Sequence, residues 1–269
     1  MTKALLALFL LAAPDAGTVW LGPRLSVSPT RVVTIAPSLT DTVIALGKGD
    51  VLVGVSRFDE APEVKGLKRV GGFNDPSVEA VVALKTQLVL VQMAPANQKP
   101  VEKMAELGIP VLAVPLTTVA DVQEAMLRIG EALGAAAEAR ALVAKVAATR
   151  EAVRSRAKGR KALRVLVVYG FQPLVVAGPG SFAHELLSDT GAVNVAQASV
   201  TAYPVFSPEA ALALRPDVVL DAADVASGKE SLQGLLKSAR WVKPKSKDLL
   251  QPGPGLGRGL LELEALLYP

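Results

Sequence analysis

A fifteen-residue unit occurs twice in this chain, at residues 77–91 and, 130 positions later, at residues 207–221. The copies read SVEAVVALKTQLVLV and SPEAALALRPDVVLD, so both contain Ser-x-Glu-Ala, an apolar run, a basic residue and a final run of Val and Leu. A serine ahead of an apolar-periodic segment predicts a helix N-cap, and a branched apolar run predicts a buried strand. Two distant copies indicate two lobes of similar design, because a short-period solenoid needs three or more repeats.

Strands alternate with helices around both copies. From Arg31 the segments RVVTIA, VLVGV, QLVLV and IPVLAV are typical of strands, and ALRVLVVYG and DVVLD are their counterparts in the second half. Such alternation predicts parallel sheets with crossover connections. Between the halves, an Ala-, Glu-, Arg- and Lys-rich segment runs to Gly159 without internal Gly or Pro. It predicts a helix of about 24 residues, roughly 36 Å long.

We therefore expect an α/β fold of two lobes with mostly parallel sheets, joined by one long α-helix. The chain of 269 residues is long enough for two such lobes. The predicted boundaries are an N-terminal lobe at 30–134, a connecting helix at 135–159 and a C-terminal lobe at 160–269.

The N-terminus favours export. One lysine precedes an apolar run from Ala4 to Ala13, which is too short to span a bilayer and fits the central region of a secretory signal peptide. We expect residues 1–29 to form a signal peptide and leader, absent from or floppy in the mature protein. The alternative is a disordered or core-packed N-terminus.

Composition and motifs exclude several classes of site. The chain has no cysteine, which rules out disulfides, thiolate metal sites and a lipid anchor on an N-terminal cysteine. Its net charge of +4 is dispersed, so we expect no nucleic-acid partner. Neither a G-x-S-x-G elbow nor a phosphate loop is present, so an enzyme is not expected. No cluster of acidic residues and histidine predicts a metal site. The lone histidine, His184, is interpreted as structural, with haem ligation as the alternative.

The order of several segments carries a family resemblance. RVVTIAPSLTDTVIALG, RVGGFNDPSVEAVVALKTQLVLV and FSPEAALALRPDVVLD occur in turn. In this order the chain, from Arg31 onward, resembles the substrate-binding proteins of ABC importers whose lobes are joined by a single long helix, the class III binding proteins. These proteins bind cobalamin, ferric siderophores or haem, and the cobalamin-binding members are the most similar. Two departures stand out: Thr86-Gln87 replaces the usual Pro-Asp, and the segment KPKSKDLLQPGPGLG is short and basic.

The resemblance implies a function and a partner. It implies a periplasmic protein that catalyses nothing, needs no cofactor and delivers a cobalamin-like corrinoid, bound in a cleft between the lobes, to the permease dimer of an ABC importer. A ferric siderophore or haem is the alternative ligand. A ligand sensor outside transport and an α/β enzyme are the alternatives of another class.

The resemblance also implies residues for docking to the permease. Glu79 and Glu209 match the family's acidic positions that contact arginines on the transporter. The local alternative is that each glutamate is only stabilised by its own helix dipole, by about 0.3–1 kcal/mol.

Aromatic residues that match family positions are the candidate ligand contacts. They are Phe58, Phe73, Tyr169 and Tyr203, and lobe core is the alternative for each. Arg258 matches a basic or polar cleft position, with a solvated or helix-capping role as the alternative. Ser38 could offer a hydroxyl or backbone N–H to the ligand, and otherwise caps its helix.

Overall fold

The computed structural model describes residues 17–223, 225–249 and 251–269. The predicted signal-peptide run from Ala4 to Ala13 lies outside these residues. Among the described helices, none is both long and apolar enough to cross a bilayer.

The chain folds into two compact units. The first comprises the residues up to Leu116 and Gln123–Ala139, and the second comprises Thr117–Val122 and Arg140–Pro269. Each unit has its own β-sheet, which confirms the predicted α/β class with two lobes.

The first unit is built on a six-stranded sheet. Its strands are β1 (Val19–Leu21), β2 (Val32–Thr34), β3 (Leu52–Val55), β4 (Lys68–Arg69), β5 (Leu88–Val91) and β6 (Val111–Ala113). The spatial order is β1-β6-β5-β2-β3-β4, and every neighbouring pair is parallel except β1 with β6. The central strands β5 and β2 are buried throughout, as expected of branched apolar strands covered on both faces.

Strand β1 was not predicted. It pairs antiparallel with β6, with Val19 opposite Ala113 and Leu21 opposite Val111. Val19–Leu21 is thus an ordered strand and not floppy, and the expected absence of residues 1–29 from the mature protein stays a prediction. Three residues are too few for a period-2 signal, and the strand exists because the edge of β6 offers unpaired backbone groups.

Short helices pack on this sheet. They are α1 (Pro37–Ala45), α2 (Val78–Ala83) and α3 (Gln98–Glu106), with 3-10 turns at Gly49–Val51 and Pro62–Val64. Val81 of α2 and Met104 of α3 are fully buried against Val33 and Val89 of the sheet, so the apolar faces of both helices form the core of this unit.

Two helices follow in the chain. They are α4 (Val119–Ala132) and α5 (Ala136–Ala157), separated by Gly134 at φ +67°. The helix expected at 135–159 is observed as α5, with 22 residues.

The second unit contains a mixed sheet. Its strands are β7 (Arg164–Phe171), β8 (Leu174–Val176), β9 (Val193–Asn194), β10 (Val205–Phe206), β11 (Val218–Asp221) and β12 (Arg240–Val242). The order is β10-β8-β7-β11-β12, and β9 pairs with β7. β9, β11 and β12 are parallel to their neighbours, whereas β8 and β10 are antiparallel. The sheet is thus less parallel than predicted, because the chain turns back directly after β7 and forms the unpredicted strand β8.

Short helices alternate with the strands of this unit. They are α6 (Phe182–Asp189), α7 (Pro208–Ala213), α8 (Lys229–Leu235) and α9 (Leu256–Leu267), with a 3-10 turn at Lys247–Leu249. The repeat copies thus form α2 with β5 and α7 with β11.

In each repeat copy, a side chain just before the strand accepts a hydrogen bond from the backbone of the neighbouring strand. Gln87 Oε1 accepts a hydrogen bond from the backbone N–H of Arg31 (3.2 Å), and Asp217 Oδ2 accepts one from the backbone N–H of Arg164 (2.8 Å). Gln87 stands where the family usually has aspartate. It keeps the hydrogen bond because its amide oxygen accepts in place of the carboxylate.

Arginines complete the same junction at the helix ends. Arg31 Nε donates to the carbonyl of Leu84 (2.8 Å), and Arg164 Nη2 donates to the carbonyl of Leu214 (2.7 Å). Each arginine thus satisfies a carbonyl at the C-terminus of α2 or α7 that has no partner within its helix.

A largely buried ion pair holds the C-terminal half of α5 within the second unit. Arg150 Nε lies 2.5 Å from Asp189 Oδ2, and Arg154 Nε lies 2.5 Å from Asp189 Oδ1. The side chain of Asp189 is 3% exposed and that of Arg150 is 14% exposed. Glu264 of α9 receives Arg156 and Arg160 in the same manner, and the hydrogen bond from Arg156 lowers the pKa of Glu264.

Replacing Asp189 tests this attachment. Asp189→Asn should lower the free energy of unfolding by about 2–3 kcal/mol, because it leaves the largely buried guanidinium of Arg150 with Glu185, 3.3 Å away, as its charged partner. Urea denaturation measures the loss. Glu131→Gln is the control, since its pair with Arg128 is exposed and should contribute less than about 1 kcal/mol. Equal losses in the two variants would contradict a structural role for Asp189.

Candidate functional site

In the first unit, three predicted ligand contacts follow three neighbouring strands. Ser38 comes after β2, Phe58 after β3 and Phe73 after β4, and these strands are adjacent and parallel. Because the carboxyl ends of parallel strands meet at one edge of a sheet, the structure brings these residues to the same edge. This is the edge at which open α/β sheets bind ligands.

Phe58 does not belong to the core. It is 58% exposed, and the guanidinium of Arg57 lies 5.6 Å from its ring centroid. Arg57 also pairs with Asp75, and the hydrogen bond from Arg57 lowers the pKa of the Asp75 carboxyl. The core alternative for Phe58 is thereby removed, and the ring is presented to solvent beside a cation.

Phe73 is half-buried and its loop is fixed by a residue that the sequence did not single out. Asn97 Nδ2 donates to the carbonyl of Phe73 (2.9 Å) and to the carbonyl of Gln92 (2.9 Å). Asn97 is fully buried, so it ties the loops that follow β4 and β5. The only sequence signal for Asn97 is that a polar residue opens the helical segment NQKPVEKMAELG.

Ser38 is buried and is not an N-cap. Helix α1 begins at Pro37, the cap position is Ala36, and no side chain caps it. The predicted capping role is wrong because Pro37 takes the first helical position, where its fixed φ favours a helix start. The carbonyl of Ser38 accepts from Thr42 Oγ1 (2.8 Å).

In the second unit, the predicted tyrosines contact each other. The rings of Tyr169 and Tyr203 lie edge to face, 5.6 Å apart with an interplanar angle of 71°. Tyr169 lies within β7 rather than after it, and Tyr203 lies in the loop before β10 and is 42% exposed. Burial raises the pKa of the Tyr169 hydroxyl and that of the Tyr203 hydroxyl. A tyrosine is neutral at pH 7 even at its ordinary pKa, so the two rings form a neutral pair with polar hydroxyls.

Phe171, the last residue of β7, belongs to the core. It is buried and stacks on Trp241, with ring centroids 6.4 Å apart.

Arg258 is engaged by a nearby carboxylate. Its Nε and Nη2 atoms lie 2.8 Å and 2.9 Å from Asp248 Oδ2 and Oδ1. This two-point pairing holds the guanidinium in the first turn of α9. A ligand group at Arg258 would thus share it with Asp248.

Glu79 and Glu209 occupy matching places. Both are exposed and lie in the first turn of α2 or α7. Ser77 Oγ accepts from the Ala80 N–H and Ser207 Oγ accepts from the Ala210 N–H, each at 3.1 Å. The serines thus already cap the helices, and the carboxylates remain at the surface.

His184 is held by its neighbours. Its Nδ1 lies 3.3 Å from Asn194 Nδ2, which also donates to the carbonyl of Ala177. Over the described ranges, no group of three or more His, Cys, Asp or Glu residues could hold a metal ion.

Alkaline titration tests the environment of Tyr169. Tyr169 and Tyr203 should both ionise above the usual tyrosine pKa near 10, so Tyr169→Phe should remove part of the late component of the ultraviolet titration. The pKa of the Tyr169 hydroxyl is higher in the folded than in the unfolded protein. Its contribution to the free energy of unfolding is therefore present below about pH 10 and is lost as the pH rises further. Tyr268→Phe is the control and should leave the late component in place. If Tyr169→Phe instead removes a component that titrates near pH 10, the buried environment of Tyr169 is contradicted.

Comparison with known proteins places this architecture in a family. A model described as periplasmic binding protein matches residues 32–244. The vitamin B12-binding protein of Salmonella typhimurium is 29% identical over 221 residues, covering 82% of this chain and 79% of that protein.

Solved structures agree with this match. The periplasmic heme-binding protein RhuT from Roseiflexus sp. has a TM-score of 0.78 at 25% identity, covering 89% of this chain and 98% of that one. The periplasmic vitamin B12 binding protein BtuF of Vibrio cholerae has a TM-score of 0.76 at 20% identity, covering 89% and 97%. The resemblance drawn from the repeated segments is thereby confirmed, and the chain belongs to the periplasmic binding protein family.

Proposed function

We propose that this protein is exported to the periplasm, binds a cobalamin-like corrinoid and delivers it to the permease dimer of an ABC importer. It acts as a carrier, without a reaction or a cofactor of its own. The observation that carries the ligand assignment is the neutral, partly exposed pair of Tyr169 and Tyr203. The vitamin B12-binding relative, which this chain matches over 82% of its length, supports the same ligand.

The chemistry of the candidate contacts suits a corrinoid. A corrin ring offers broad apolar faces and amide edges, which pack against flat aromatic rings and accept a few hydrogen bonds. Phe58 and Phe73 in the first unit and Tyr169 and Tyr203 in the second supply such rings. Neutral hydroxyls on the tyrosines can donate to amide oxygens.

Haem or a ferric siderophore is the second candidate, favoured by the likeness to RhuT. An iron ligand would have to come from His184 or a tyrosine. His184 Nδ1 lies 3.3 Å from Asn194 Nδ2, so His184 could ligate iron only through Nε2. Burial raises the pKa of the Tyr169 hydroxyl and disfavours the phenolate that binds ferric iron. The burial of Tyr169 favours the corrinoid.

Calorimetric titration with cyanocobalamin tests the ligand. We expect a dissociation constant below about 1 μM, or roughly −8 kcal/mol. Tyr203→Ala should weaken binding by about 3–10-fold, since an aromatic contact contributes about 0.5–1.5 kcal/mol beyond its buried area. Tyr268→Ala is the control and should bind as the unaltered protein does. No heat with cyanocobalamin, but tight binding of haem or a ferric siderophore, would overturn the corrinoid and leave the transport role standing.

The docking role of the glutamates has its own test. Glu79→Ala with Glu209→Ala should leave the affinity for cyanocobalamin nearly unchanged and strongly reduce uptake into vesicles that contain the permease and its ATPase. Opposite charges at such contacts steer encounter and fix register. Glu63→Ala with Glu230→Ala removes two other exposed glutamates and is the control. Normal uptake by the Glu79 and Glu209 double variant would show that the two glutamates only stabilise their helices and do not dock. No uptake with the unaltered protein would favour a ligand sensor outside transport.

A further inference from the structure

Two basic residues adopt a backbone conformation that their residue type disfavours. Lys85 has φ +48° and Arg215 has φ +46°, and among the described residues they are the only ones other than glycine with positive φ. The left-handed region is sterically costly for any residue with a Cβ. Both residues lie two positions after the end of a helix, Lys85 after α2 and Arg215 after α7.

Glycine takes the same position elsewhere in the chain. After α1, α3, α4, α5 and α6, the second residue beyond the helix is a glycine with positive φ; these are Gly47, Gly108, Gly134, Gly159 and Gly191. Among the described residues, only the two repeat copies place a residue other than glycine in this conformation, and in both copies it carries a long cationic side chain.

A local capping role does not explain the two cations. The carbonyls at the ends of α2 and α7 already receive Arg31 and Arg164. Within the described ranges, neither the Lys85 nor the Arg215 side chain makes a hydrogen bond or an ion pair, and both residues are exposed. The left-handed backbone itself closes each helix, because the N–H of Lys85 donates to the carbonyl of Val82 and that of Arg215 donates to the carbonyl of Leu212. Glycine would do the same without strain. The choice of an exposed cation at both positions, rather than the conformation, therefore points to a functional use.

The exposed surface around the two cations is duplicated as well. One helical turn after each glutamate lies an exposed apolar residue, Val82 (46% exposed) in the first copy and Leu212 (43% exposed) in the second. We name Glu79, Val82 and Lys85 the first contact strip. The second contact strip consists of the matching residues of the other copy, listed in chain order as Glu209, Leu212 and Arg215.

We propose that each contact strip binds one subunit of the dimeric permease through three groups, with Lys85 or Arg215 pairing with a carboxylate of that subunit. This inference rests on the proposed transport function and adds a cationic and an apolar contact to the glutamates. A dimer offers the same acceptor surface twice, and this chain offers the same strip twice. A strip with an acid at one end and a base at the other also selects one orientation of the acceptor.

The double variant Lys85→Gly with Arg215→Gly should preserve or raise the stability of the protein but weaken its docking to the permease. Glycine relieves the left-handed strain, so the melting temperature should stay the same or rise by up to about 3 °C. Affinity for cyanocobalamin should change less than twofold. Affinity for the purified permease–ATPase complex in nanodiscs should fall by about 3–10-fold, as expected for loss of two partly solvated ion pairs. Lys85→Arg with Arg215→Lys should keep docking.

Controls separate this inference from the proposed function. Lys65→Ala with Lys237→Ala removes the same charge from exposed positions outside the strips and should dock normally. Unchanged docking of the glycine variant would overturn the inference, whereas the proposed docking stands if the Glu79 and Glu209 double variant is impaired in the same assay. If neither double variant is impaired, the proposed docking itself fails. Equal loss of binding to anionic vesicles that lack the permease would assign the two cations to lipid and overturn the protein partner.

Discussion

The junction between each repeat helix and its following strand is the constraint on which the rest of this structure depends. A side-chain oxygen, from Gln87 or Asp217, accepts a hydrogen bond from the backbone at the start of the neighbouring strand, and the arginine at that position donates to a carbonyl at the end of the helix. These bonds fix where β5 and β11 begin beside β2 and β7. Once the beginning of a parallel strand is fixed, its register and its carboxyl end are fixed as well.

The two edges of the sheets carry different candidate functions. Residues that follow the strands, such as Phe58 and Phe73, supply exposed or half-buried rings at the carboxyl edge of the first sheet. Residues that precede β5 and β11 form the two contact strips. A rigid α/β unit can therefore separate ligand contacts from partner contacts, so that a substitution in one set leaves the other largely intact. The left-handed residues Lys85 and Arg215 lie in the two contact strips, the surface proposed to meet the permease.

The fold was largely predictable because its signals are local. Branched apolar runs marked β2, β5, β7 and β11, and the serines at positions 77 and 207 marked helix starts, since a hydroxyl cap acts within three residues. Short or edge strands could not be found in this way. β1 and β8 exist because an adjacent strand supplies partners for their backbone groups, and a three-residue segment has no periodicity of its own.

The candidate site was predicted residue by residue, but its contacts were not. The sequence by itself determined which residues follow strands, which helices carry a capped glutamate and that two units share one design, because these properties depend on neighbours along the chain. Only the tertiary structure decided that Tyr169 meets Tyr203, that Arg258 is held by Asp248 and that Asn97 fixes the loop of Phe73. Such contacts join segments whose spacing in the sequence carries no period, and they form only when the packed sheet and helices bring those segments together.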